Sequence, residues 1–187
     1  HILLGARGTV SFDLSAGAIP TMKFMFTGVD GTISDQANPT PTLTAAVAPS
    51  PLLTANVTGL PSGKEMNGGT TGIQVQKFSL DIANDVKFRQ LLGASGVICS
   101  GRNPQGQISI EATTQTFKDW FAVIKNITKG AFFLRNGTSA GNTCTLFGPY
   151  GQLTGGKYSD SDGIVMQDFG INATPLNGND DVRVVIQ

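Results

Sequence analysis

Few side chains in this 187-residue chain could do chemistry, and their spacing argues against it. The single histidine is His1, at the terminus, so a Ser–His or Cys–His nucleophilic system is effectively excluded. Glu65 and Glu111 are the only glutamates, and nothing in the sequence pairs either with a second carboxylate for acid–base work on a glycoside. Asp160-Ser161-Asp162-Gly163 resembles the opening of a calcium loop. Ile171 stands where that loop needs a bidentate glutamate, and the flanking helices are missing, so a turn is expected. Cys99 and Cys144 have no CxxC spacing and read as free thiols rather than a disulfide or metal pair. Gly5-Ala6-Arg7-Gly8 and Gly93-Ala94-Ser95-Gly96 are glycine-rich, but neither opens a helix as a phosphate cradle does. Four Asn-x-Thr triplets begin at Asn56, Asn126, Asn136 and Asn172, which chance explains in a chain so rich in both residues. No catalytic residue, metal ligand or cofactor site is assigned.

Composition bounds the partners. Charged residues make up 14% of the chain, and thirteen basic side chains balance thirteen acidic ones. A neutral chain gives no electrostatic case for tight binding to nucleic acid or an anionic membrane. Low charge also means poor colloidal solubility for a lone monomer, a first hint that neighbours cover much of the surface. No apolar run approaches the roughly 20 residues of a membrane-spanning helix, and no signal-peptide pattern opens the chain. Because the first residue is His1 and not Met, the chain is expected to be processed, trimmed or cut from something longer.

One stretch reads as a helix. Phe117, Trp120, Phe121, Ile124 and Thr128 recur at helical spacing, joined by Ile127, while Lys118, Asp119, Lys125 and Asn126 take the other side. Thr116 suits the N-cap, with Asp119 three residues on, and Lys129 and Gly130 suit the end, so a helix over 116–129 is expected. The stripe holds the only tryptophan, and Phe117, Trp120, Phe121 and Ile124 are its expected core anchors.

The rest reads as strands that bury this helix. Gly8–Leu14 alternates, with Val10, Phe12 and Leu14 on one face, and Thr21–Thr27 follows after a turn, with Met22, Phe24 and Phe26 on one face; the pair is a hairpin. Gly72–Ile82 alternates Phe78, Leu80 and Ile82 against Lys77, Ser79 and Asp81. Residues 87–92 are a helical turn or the start of a strand. Val97–Cys99 and Gln107–Ala112 are expected to pair across a turn at 102–106. Ala131–Arg135, Thr143–Phe147, a short piece at Leu153, Gly163–Ala173 and Asp181–Ile186 complete the set, with Tyr158–Asp162 as a polar loop. About nine strands and one helix argue for a mainly β fold, an antiparallel two-sheet sandwich or barrel with one flanking α-helix. Residues 1–187 form a single domain in this view. It carries a long insertion at about 28–72, rich in Pro, Thr, Ala and Gly and without sustained period; such a segment is either functional or a floppy linker.

The order of these elements resembles the tail tube (major tail) proteins of long-tailed bacteriophages. The similarity rests on Leu4–Leu14, Ile19-Pro20, Phe24–Gly28, Ser79–Ile82, Ile108–Ala112, Asp119–Ala122, Gly130 and Asp162–Ile164, which recur in order over nearly the whole chain. None is a chemical fingerprint. The resemblance implies two antiparallel sheets packed as a barrel-like sandwich with an outer helix, in a structural protein and not an enzyme. It implies rings of six such domains, joined into a continuous inner barrel around a lumen, and rings that stack through long loops. In the insertion, Leu52, Leu53 and Val57 are then candidate inter-ring contacts. The implied partners are further copies of the chain, the tape measure protein, tail-end proteins, and double-stranded DNA that passes through the lumen without specific binding; the implied place is the virion tail, assembled in the host cytoplasm. The match is to the second half of two-domain members, which leaves open six chains or three two-domain chains per ring, and a tube subunit or a related tail-end protein. The alternative function is a sandwich-type binding module of a tail fibre, decoration or carbohydrate-binding kind.

Overall fold

A computed structural model describes residues 2–35, 37–38, 40–42, 51–52, 56–58, 72–137, 141 and 143–187. Its elements are β1 (Leu3–Ser15), β2 (Thr21–Asp30), β3 (Asn56–Thr58), β4 (Val75–Asp81), β5 (Asn84–Leu91), β6 (Ala94–Arg102), β7 (Gln105–Glu111), α1 (Trp120–Lys125), β8 (Lys129–Asn136), β9 (Cys144–Ser161), β10 (Ile164–Thr174) and β11 (Arg183–Ile186). Nine strands form one antiparallel sheet in the order β2-β1-β4-β7-β10-β9-β8-β3, with β11 also on β9, and β5 and β6 form a separate hairpin.

Alternation builds the core. Phe12 and Leu14 on β1, Phe78 and Leu80 on β4, Ile108 and Ile110 on β7, Phe169, Ile171 and Ala173 on β10, and Phe132 and Leu134 on β8 are all buried. Each set is two residues apart, so each strand gives one face to the interior. Full burial of a side chain of this size contributes about 1.5–3 kcal/mol. The rings of Phe78 and Phe132 lie 6.0 Å apart, although their strands are four places apart in the sheet. The sheet therefore curls on itself into a half-barrel.

β9 makes the curl possible. Along Cys144–Phe147 it pairs with β11 on one edge, and from Tyr150 onward β10 takes that edge, while β8 holds the other. The Phe132 ring lies over the middle of β9. A Cβ on Gly148 would fall 2.2 Å from that ring, and one on Gly151 2.7 Å from it, so both positions are glycine for want of space.

Several expectations are corrected. The helix covers only Trp120–Lys125, and its N-cap is Asp119, not Thr116; the Ala122 amide donates to Asp119 Oδ1 at 2.9 Å. It ends early because Ile127 adopts φ 52°, left-handed backbone that no helix continues through, and because Lys129 and Gly130 already belong to β8. The period-two pattern of Phe132 and Leu134 overrides the helical one. Trp120 is a core anchor at 1% exposure, but Phe121 is 43% exposed. Phe117 and Ile124 pack against the core only in part. Residues 87–91 are strand. β5 and β6 pair with each other, and β7 pairs with β4 and β10, so the expected pairing of Val97–Cys99 with Gln107–Ala112 does not form. Tyr158–Ser161 is the end of β9, not a loop.

Two described pieces of the insertion are tied to the sheet and core. Leu52 is 5% exposed and belongs to the core, with its amide donating to Ala18 O and its carbonyl accepting from Gly17 N. Asn56–Thr58 pairs with Phe133–Arg135 of β8. Leu53, and the apolar run 43–47, lie outside the described residues.

Candidate assembly surfaces

Three surfaces follow from this fold. The first is the outer face of β4, β7, β10 and β9, opposite the core. Strand alternation that sends Phe78, Ile108 and Phe169 inward sends Lys77, Ser79, Gln107, Ser109 and Asp168 outward. They line a groove of about 510 Å³ with Lys157, Ser159 and Ser161. Its polar groups satisfy one another. The Ser109 hydroxyl donates to Asp168 Oδ1 at 2.6 Å, and Gln76 Nε2 donates to Ser161 Oγ at 2.8 Å. Lys157 lies 3.9 Å from Asp168, and Lys77 lies 3.6 Å from Asp13. The Ser109 hydrogen bond, with help from Ser159 and Lys157, holds the Asp168 carboxyl below the ordinary carboxylate range. Sequence reasoning found these residues only as the non-core half of each alternation and assigned them no role.

The second surface is the helix. Trp120 Nε1 donates to Thr113 Oγ1 at 2.8 Å, and its ring lies 5.7 Å from that of Phe169, which fixes the helix to the barrel. Phe121 turns outward against Tyr158, with ring centroids 5.8 Å apart. Asp119 caps the first turn; the Ala122 amide and then Gln115 hold its carboxyl below the ordinary range.

The third is the β1–β2 hairpin with β5–β6 laid against it. Arg7 Nε donates to Val97 O at 3.0 Å, and Asn84 donates to Thr9 Oγ1 at 3.2 Å and Gly8 O at 2.8 Å. The root of β6 is latched to the chain end, where Arg102 pairs with Asp181 and Asp180 accepts from the Leu176 and Asn177 amides.

Among the described residues, these surfaces bring together none of the acids or thiols weighed for catalysis; His1 and Glu65 lie outside the described residues. Among the described residues, no three His, Cys, Asp or Glu side chains group as metal ligands. Cys99 is exposed, and burial pushes the Cys144 thiol up, away from the thiolate that attacks or ligates. Glu111 sits at the end of β7, paired with Met166 and no second carboxylate. Of the expected inter-ring residues, Leu52 packs into the core, Val57 is the register partner of Leu134 in the pairing of β3 with β8, and Leu53 lies outside the described residues.

The family model described as phage tail tube protein matches residues 1–184. The chain belongs to the phage tail tube family. No curated protein matches it. The antiparallel half-barrel with its small helix agrees with the fold the sequence resemblance implied. Membership makes the protein a structural component of the phage tail, one of a family that is structural and not enzymatic, and it implies a tube built by self-association together with other tail components. The polar face, the helix and the hairpins are the candidate surfaces for that assembly.

Proposed function

We propose that this chain is the repeating subunit of the tail tube, and that its copies close into rings which stack around a channel. The observation that carries this is a sheet that, among the described residues, is left open at both ends. β2 ends it on one side and β3 on the other, so each chain offers strand edges that a neighbour can take. A head-to-tail contact of that kind closes a ring when its rotation divides a full turn. Six chains per ring, or three chains of a two-domain protein, would serve equally.

The polar outer face of β4, β7, β10 and β9 is our candidate channel lining. A channel that first holds the tape measure protein and later passes double-stranded DNA must not grip phosphate. Unpaired lysines would bind the backbone and release counterions, a favourable term that grows with each contact. Here Lys77 and Lys157 each stand beside a carboxylate, Asp13 and Asp168. The remaining groove residues are mostly Ser, Gln and Gly. Such a wall is wet and locally neutral, which suits sliding. Assembly in the host cytoplasm and residence in the virion tail follow from the same role.

Sedimentation velocity over a concentration series tests the proposal. Closed rings predict a discrete species of fixed size that grows at the expense of monomer. A protein that stays monomeric at the highest attainable concentration would contradict it.

A further inference from the structure

Among the described residues, nothing covers the apolar face of β2. Met22, Phe24 and Phe26 alternate as a buried face should, yet they are 46%, 57% and 61% exposed. Strand parity places them on the same side of the sheet as Phe12 and Leu14, which are in the core. They continue the core surface outward along the hairpin. At its inner end this stripe runs into an apolar cleft of about 210 Å³ lined by Met22, Ile19, Phe12, Leu134, Leu146 and Ile186 among others. The opposite side of the hairpin is the one that β5–β6 occupies through Arg7 and Thr9. One face is thus covered and the other bare.

The bare face is flat. The Phe24 and Phe26 rings stack with centroids 6.2 Å apart and planes within 2°. Phe26 lies down on the sheet over Gly8, where a Cβ would come within 2.6 Å of the ring. β2 is also the last strand of its sheet, so among the described residues no strand pairs with its outer backbone edge beside the bare face.

We infer that a second copy of this chain seats on the Met22–Phe24–Phe26 face and takes up the edge of β2 that no described strand pairs. This rests on the self-association proposed above and names the surface that carries it. Area supports this occupant. Met22, Phe24, Phe26, Ile19 and Ile186, each about half exposed or more, present on the order of 500 Å² of apolar side chain. A stable interface buries about 800 Å² per partner, of which roughly 57% is apolar, or about 450 Å². The face alone supplies that share. Among the described residues no apolar element lies over it, and the tube of identical subunits proposed above supplies an occupant from the neighbouring copy.

The test is the paired substitution Phe24→Asp and Phe26→Asp in the whole chain, followed by circular dichroism, thermal melting and sedimentation velocity. Both side chains face solvent in the monomer, so fold and melting temperature should stay within a few degrees of the parent. Association should weaken by at least tenfold in midpoint concentration. Parent-like association in a folded variant would overturn the assignment while leaving the tail tube role intact. A parent protein that fails to associate would overturn both. Should the variant not fold, hydrogen exchange on the parent decides: β2 amides slower to exchange in the assembled protein than in dilute monomer support the contact, and equal rates refute it.

Discussion

Trp120 and Phe121 are neighbours in the chain with opposite surroundings. Trp120 has its ring against Phe169 and its indole N–H on Thr113, whereas Phe121 touches Tyr158 at the surface. Trp120→Ala should cost about 3–5 kcal/mol in chemical denaturation, because it opens a cavity and orphans a hydroxyl partner. Phe121→Ala should cost less than about 1.5 kcal/mol, the worth of an exposed aromatic pair. Equal costs would show that the stripe is buried all along its length. Asp119 gives a pH signature. Its carboxyl is depressed by the Ala122 and Gln115 hydrogen bonds, so it stabilises the fold above the ordinary aspartate range near pH 3.9, and that stabilisation is lost as pH falls through the lower folded value. Asp119→Asn keeps an accepting cap but cannot titrate. Its melting temperature should fall less steeply than the parent's between pH 5 and pH 3; an unchanged slope would remove Asp119 from the acid response.

Among the elements, the strands were legible where alternation is strict. β1, β4, β7 and β10 each put two or three apolar residues on one face, and each does face the core. The helix was legible in place but not in length, since Lys129–Asn136 satisfies a helix end and a strand start alike, and only the long-range pairing to β9 decides between them. The partner of Val97–Cys99 was misjudged for the same reason: pairing is not local, and a turn signal at Asn103-Pro104 links two sheets here instead of one hairpin. The insertion hid most. Leu52 sits in a Pro- and Thr-rich stretch with no period, so nothing marked it as core. Leu52→Ala should cost about 2–5 kcal/mol, and excision of residues 34–62 should lower stability as well, because it removes Leu52 and β3 together. A deletion that melts like the parent would show that the insertion is anchored to nothing.

At the scale of the whole molecule, low charge, an open sheet and a bare apolar hairpin share one cause. A surface that becomes interface needs neither charge for solubility nor cover of its own. The bare face was legible as a pattern, in Met22, Phe24 and Phe26, but a sequence does not say which chain supplies the cover. The polar groove was legible only as the side of each strand that the core did not need, and its neutrality depends on ion pairs between strands distant in sequence, such as Lys77–Asp13. Negative-stain electron microscopy of the concentrated protein tests the central claim most directly. The account predicts rings or short tubes of uniform diameter with a stain-filled central hole. A field of single compact particles, or filaments without a hole, would contradict it.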